Sequence, residues 1–219
     1  RGAPAGRGHY RVAVELLCHA AALADLMAGG GRPGRPWIVG VTGDRRTGKS
    51  TTLARLRRRL EQHGLTLGGV IQPAELDDDG RRVGYVLRDV ASGEEHPFAT
   101  RRPKKDPEAL GFAFDEGAWP WAAGRIVAAR RRADVVVVDE LGRLEARGEG
   151  HMIPLLRPLS DGAAPVWLLS VRLDEAEALR ERLGGVDHTV APTDDAAALD
   201  AAAGAIAARV RAAKEADRN

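Results

Sequence analysis

Eight residues, Gly43-Asp44-Arg45-Arg46-Thr47-Gly48-Lys49-Ser50, constrain this chain more than any other stretch. They satisfy the pattern G-x-x-x-x-G-K-[ST] in full and stand between two elements of opposite kind. Before them, Trp37-Ile38-Val39-Gly40-Val41 is a short apolar run with the pattern of a strand buried on both faces. After them, residues 50–63 carry Leu53 and Leu60 at helical spacing, with Arg55, Arg57, Arg58 and Arg59 turned elsewhere and Gly64 as the stop. In such a strand-loop-helix unit the glycines let the backbone curl around phosphate oxygens, and the first amides of the helix point toward that negative charge. The unit therefore predicts that Gly43, Asp44, Arg45, Arg46, Thr47, Gly48, Lys49, Ser50 and Thr51 line a nucleoside triphosphate such as ATP or GTP. Lys49 is expected to reach the β- and γ-phosphates and the Ser50 hydroxyl to ligate Mg²⁺, with Thr51 a secondary contact.

The rest of the chain alternates strands with helices. Residues 69–72 suggest a second strand, and residues 82–90 and the segment around Phe98 flank Ser92-Gly93 like the arms of a hairpin. Residues 104–117 contain Pro107 and Gly111 and read as a loop; residues 119–132 can form a helix leading into Val135-Val136-Val137-Val138, the most strand-like run present. A weak helix over 152–159, interrupted by Pro154 and Pro158, precedes a strand at 166–171, then a helix at 174–183, a short strand at 188–190 and an Ala-rich helix from Asp195 toward Ala213. Strands alternating with helices predict a parallel sheet covered on both faces. The expected fold class is α/β: a P-loop three-layer sandwich with a mainly parallel sheet, a small β-hairpin insertion and an N-terminal helical extension. The extension, residues 1–35, would hold an amphipathic helix over 10–27 and a glycine-rich linker at 29–34, leaving residues 36–219 as the P-loop domain.

Asp139-Glu140 stands at the carboxyl end of the strongest strand, where sheet topology collects ligand-contacting groups. Asp139 is expected to hold the Mg²⁺ shell through water, and Glu140 to orient and deprotonate the attacking water as general base. The bland reading of the pair is an acidic helix cap or a solvated loop. Arg45 and Arg46 lie within the phosphate loop, where either one guanidinium stabilises transition-state charge or both point to solvent.

The formal net charge is only +2 on 33 basic and 31 acidic residues, so bulk charge names no nucleic-acid partner. Arg57-Arg58-Arg59 and Arg130-Arg131-Arg132 read as solvated helix faces, and the six histidines show no metal-ligand spacing. One cysteine, Cys18, excludes an internal disulfide and suits a reducing compartment; no apolar run approaches the roughly 20 residues that span a bilayer. Together these predict a cytoplasmic protein. Trp119 and Trp121 either close over a base or pack the helix they begin, packing being the better reading.

With these residues in place, the chain resembles the cancer-related nucleoside-triphosphatase family, P-loop enzymes of the additional-strand class. Gly43–Thr51, Gly80-Arg81-Arg82-Val83-Gly84-Tyr85 and Asp139-Glu140-Leu141-Gly142-Arg143-Leu144-Glu145 carry the likeness. It spans Pro36 to the final helix and implies a cytoplasmic, Mg²⁺-dependent hydrolase acting on ATP, GTP and other nucleoside triphosphates. It also implies that Glu145 belongs to the site, the plain alternative being a surface carboxylate. The sequence departs from the family pattern at Arg45 and Arg46, where small residues are usual, at Arg143 and after Glu145. Two other functions are compatible with the same loop. One is a small-molecule kinase with an acceptor pocket in residues 72–117, near Arg101, Arg102, Lys104 and Lys105. The other is a nucleotide switch whose protein partner, or second copy, docks on the 10–27 helix.

Overall fold

The computed structural model describes residues 35–102, 111–156 and 164–218. The expected helix over 10–27, the linker at 29–34 and Cys18 lie outside the described residues, as do Lys104 and Lys105. Within them, β1 (Trp37–Gly43) leads into α1 (Lys49–Gln62), followed by β2 (Leu67–Ile71), β3 (Ala74–Leu76), β4 (Arg82–Asp89), β5 (Glu95–Arg101) and β6 (Phe112–Phe114). Then come α2 (Ala118–Arg132), β7 (Val135–Leu141), α3 (Arg143–Ala146), α4 (Met152–Leu156), β8 (Val166–Arg172) and a 3₁₀ turn at Leu173–Glu175. The chain continues through α5 (Ala176–Arg182) and β9 (His188–Val190) to α6 (Ala196–Ala216).

One sheet of nine strands runs β6-β5-β4-β2-β7-β8-β1-β9, with β3 paired to β4. β2, β7, β8, β1 and β9 are parallel, and β8 stands between β1 and β7. Alternate residues of the central strands face opposite layers, as a strand's period of two requires. Val135 and Val137 of β7, with Val166 and Leu168 of β8, pack under Leu53, Leu56 and Leu60 of α1 and Leu199, Ile206 and Val210 of α6. On the other face, Val136, Val138, Trp167 and Leu169 pack under Ala122 and Ile126 of α2, Met152 and Leu155 of α4 and Leu179 of α5. Three layers result, in agreement with the expected class.

The hairpin differs from expectation in where it goes. β4 and β5 pair antiparallel, and β4 also pairs antiparallel with β2, so the insertion extends the main sheet. β6 adds a further strand within residues expected to form a loop, because Phe112 and Phe114 bring aromatic rings against Tyr85 and Phe98. α3 was not anticipated, and α4 is described only to Leu156 of the expected 152–159 span. Arg130 is a second correction: it is buried, its Nη1 donates to the Pro154 carbonyl at 2.7 Å, and its guanidinium lies 5.4 Å from the Trp167 ring centroid. An aliphatic stem and planar head let arginine fill such a gap between helix and sheet.

β2 approaches β7 closely at Gly69, whose φ is +110° and whose added Cβ would stand 2.1 Å from the Val137 carbonyl oxygen. Backbone cannot yield as a flexible side chain can. Gly69→Ala is expected to cost at least about 2 kcal/mol, read as a lowered urea midpoint.

Candidate active site at the strand ends

The loop Asp44–Gly48 crosses from the carboxyl end of β1 to the start of α1. Two residues turn it through left-handed backbone: Arg46 at φ 62° and Gly48 at φ 92°. Gly48 holds this conformation without steric cost. The Asp44 carbonyl gathers the loop inward, accepting from Thr47 Oγ1 at 2.8 Å and from Lys49 Nζ at 2.9 Å. Lys49 is 5% exposed although it carries an ammonium group. Among the described residues no side chain caps α1 and no acidic residue stands in its first turn, so neither a cap nor a first-turn carboxylate meets the amides there. Ser50 and Thr51 are exposed at the same helix end, and Arg45 and Arg46 are exposed on the loop.

Asp139 and Glu140 close β7, and the peptide joining them is cis. Asp139 is 4% exposed, and its Oδ1 is buried without a hydrogen-bond partner. Burial pushes its carboxyl above the ordinary aspartate range; the Ser170 and Ser50 hydroxyls, then Lys49 and Arg57, pull the other way. Neither Ser170 Oγ nor Asp139 Oδ1 completes a hydrogen bond of ordinary geometry, so the hydroxyl is a dipolar neighbour of the carboxylate and not its satisfied donor. Glu140 is also raised by burial and by the Asp139 charge, against Lys49, Arg172 and Arg45. The phosphate loop and the acidic strand end thus meet on one side of the sheet, Lys49 acting on both carboxylates and Ser50 on Asp139.

Glu145 occupies neither a surface position nor the open side of this cluster. It is 4% exposed and accepts from the amides of Gly142 at 2.9 Å and His151 at 3.2 Å, so it braces the turn that follows β7. Burial raises its pKa, partly offset by those amides. His151 is walled in by Phe98 and Trp119, with Nε2 2.9 Å from Gln72 Nε2, and burial drives its pKa to about 4, leaving it neutral at physiological pH. Trp119 also packs on Phe114, and Trp121 stacks on His96 with ring centroids 5.5 Å apart, in agreement with the packing reading.

Two neighbours of the carboxylates, Ser170 and Arg172, had not been singled out, and a third, Arg57, had been read as solvated. Ser170 and Arg172 end β8, and Arg57 lies on α1 with its Nε buried and no hydrogen-bond partner, instead of on a solvated face. Ser170 and Arg172 carry a sequence signal, the polar residues at the carboxyl end of an otherwise apolar parallel strand. Arg57 carries one through spacing, since it follows Ser50 by seven residues on one helix face.

A strand-loop-helix phosphate cradle, a parallel sheet and a carboxylate pair two strands away define a P-loop three-layer α/β sandwich of the additional-strand class. Comparison with known proteins narrows this. Residues 38–183 match the model of the NTPase family. A nucleoside-triphosphatase THEP1 of Methanopyrus kandleri is 32% identical over 130 residues, covering 59% of this chain and 71% of its own length. One from Korarchaeum cryptofilum is 29% identical over 159 residues, covering 68% and 75%. In fold, the chain is similar to the solution structure of a human cancer-related nucleoside triphosphatase, with TM-score 0.52 and 19% identity over 81% of this chain and 98% of that one. The chain belongs to the NTPase family, and the resemblance read from its motifs holds.

Proposed function

We propose that this protein is a Mg²⁺-dependent nucleoside triphosphatase that transfers the terminal phosphate of ATP, GTP and related nucleotides to water. One arrangement carries the reading: the Ser50 hydroxyl and the Lys49 ammonium lie beside the buried Asp139, whose Oδ1 has no hydrogen-bond partner, and Lys49 also faces Glu140. The family membership and the THEP1 relatives support it.

The donor set suits the metal. Asp139 offers a buried oxygen without a partner beside the Ser50 hydroxyl, and among the described residues no group of three or more His, Cys, Asp or Glu side chains could cage an ion. Few protein oxygens, with phosphate and water making up the rest, is the Mg²⁺ pattern. Mg²⁺ held there would offset the negative charge of the triphosphate during transfer. Ser50 would ligate it directly and Asp139 through water. The amides of Gly43 to Thr51 bind the phosphates, and Lys49 places its charge on the β- and γ-oxygens. Glu140, half-buried beside Asp139, takes the proton of the water that attacks the γ-phosphorus. Among the described residues no helix is long and apolar enough to cross a membrane. The cytoplasmic placement is part of this proposal and follows from the family resemblance.

The test is phosphate release from ATP, GTP, CTP and UTP, with Mg²⁺ or with chelator, by the protein and by Asp139→Asn. The expected result is release with Mg²⁺ from every triphosphate, no release with chelator, and a loss of about 100-fold or more in the variant. Undiminished release under chelation rejects the metal. Release that requires an added nucleoside or other hydroxyl acceptor replaces the hydrolase with a kinase, whose pocket would include the exposed Arg101 and Arg102.

A further inference from the structure

The carboxyl end of β8 carries a device that the phosphate loop and acidic pair do not account for. β8 lies between β1 and β7, and the parallel register sets Arg172 directly beside Gly43, the first residue of the phosphate loop. On the other side, Val171 pairs with Leu141 of β7, one residue beyond Glu140. Arg172 therefore occupies the seam between both halves of the cluster.

The side chain is 11% exposed and held at both ends. Its guanidinium makes a two-pronged pair with Asp174 in the 3₁₀ turn, Nε to Oδ1 at 3.0 Å and Nη2 to Oδ2. Its stem crosses the backbone at Gly142, where an added Cβ would come within 3.2 Å of Arg172 Cδ. So anchored, Nε lies 4.0 Å from Glu140 Oε1. That is beyond a hydrogen bond but within direct Coulomb reach; Arg143 of the following turn leans away, 3.6 Å from Glu175 Oε1, and Lys49 acts on the same carboxylate from the phosphate loop.

We propose that Arg172 is a positioning residue: fixed by Asp174 and seated over Gly142, it sets where the Glu140 carboxylate stands relative to the γ-phosphate. The inference rests on the reading of Glu140 as general base. It follows from the forked geometry, because a guanidinium pinned by two parallel hydrogen bonds has one orientation, and a carboxylate facing it is confined in turn. A base displaced by about 1 Å loses about 100-fold in rate while substrate binding persists.

The experiment is a double-mutant cycle between Arg172→Met and Glu140→Gln, measured as Mg²⁺-dependent phosphate release with kcat and KM resolved. Arg172→Met is expected to lower kcat about 10- to 100-fold with KM within about twofold. On the Glu140→Gln background it should remove no more than about threefold, since the group it positions is gone. Arg172→Lys is expected to recover only part of kcat, as an ammonium cannot make the fork to Asp174. A wild-type kcat in Arg172→Met, a raised KM at unchanged kcat, or a loss that persists in full on Glu140→Gln overturns the proposal. Should Arg172→Met lose its far-ultraviolet circular dichroism, Asp174→Asn takes its place in the cycle with the same expectations at smaller size. Full turnover by Glu140→Gln overturns the general-base reading and this inference together; a dead Glu140→Gln beside a fully active Arg172→Met overturns this inference alone.

Discussion

Replacing Lys49 with alanine is expected to reduce phosphate release by about 100- to 1000-fold and to weaken nucleotide binding as well. The size follows from where the ammonium sits. It is buried at the root of α1, bonded to the Asp44 carbonyl, and acts on both Asp139 and Glu140. Removing it withdraws the cation proposed to meet β- and γ-oxygens, and leaves two raised carboxylates without the charge they share. Both effects oppose an incoming polyanion. The check is parallel: turnover by phosphate release and affinity by calorimetry with a non-hydrolysable triphosphate and Mg²⁺. Retained turnover in a folded Lys49→Ala protein would remove the phosphate loop from the mechanism.

Glu140→Gln is expected to behave differently. Turnover should fall about 100- to 10,000-fold while nucleotide affinity is kept or improved. Glutamine preserves volume and hydrogen-bonding reach but cannot accept the water's proton. It also removes a negative charge from the side the triphosphate approaches. A variant that loses affinity and rate in proportion would indicate that Glu140 serves binding or the metal instead. The contrast between the two substitutions separates cradle from base more sharply than either result alone.

Much of the architecture was legible because its signals are local. Val135–Val138 reads as a strand buried on both faces, and the glycines and Lys49 stand at spacings that only a loop between strand and helix uses. What escaped was decided between distant segments. Arms at 82–90 and around Phe98 announce a hairpin, but no residue in them states that β4 will join β2. Phe112-Ala113-Phe114 is too short to show a period, and its strand exists because Tyr85 and Phe98 offer rings to pack against. Arg57 and Arg130 stand in runs of arginine that look uniformly solvated, whereas helix rotation turns one of each three inward. Glu145 shows the limit of motif reasoning: the family pattern puts it near the site, but its burial and two amide partners come from the turn it braces. Arg172 shows itself in the sequence only as a polar residue ending an apolar strand; its closeness to Glu140 is produced by two strands pairing, not by any spacing along the chain.

The seating of β8 between β1 and β7 has a last implication. The span from the strand that launches the phosphate loop to the strand that carries the acidic pair is two hydrogen-bonded strand spacings, about 9.6 Å, a ruler made of backbone. Arg45 and Arg46, exposed on the loop, take no part in that ruler. A change in the walls or the approaches would leave that gap as the pleat beneath sets it.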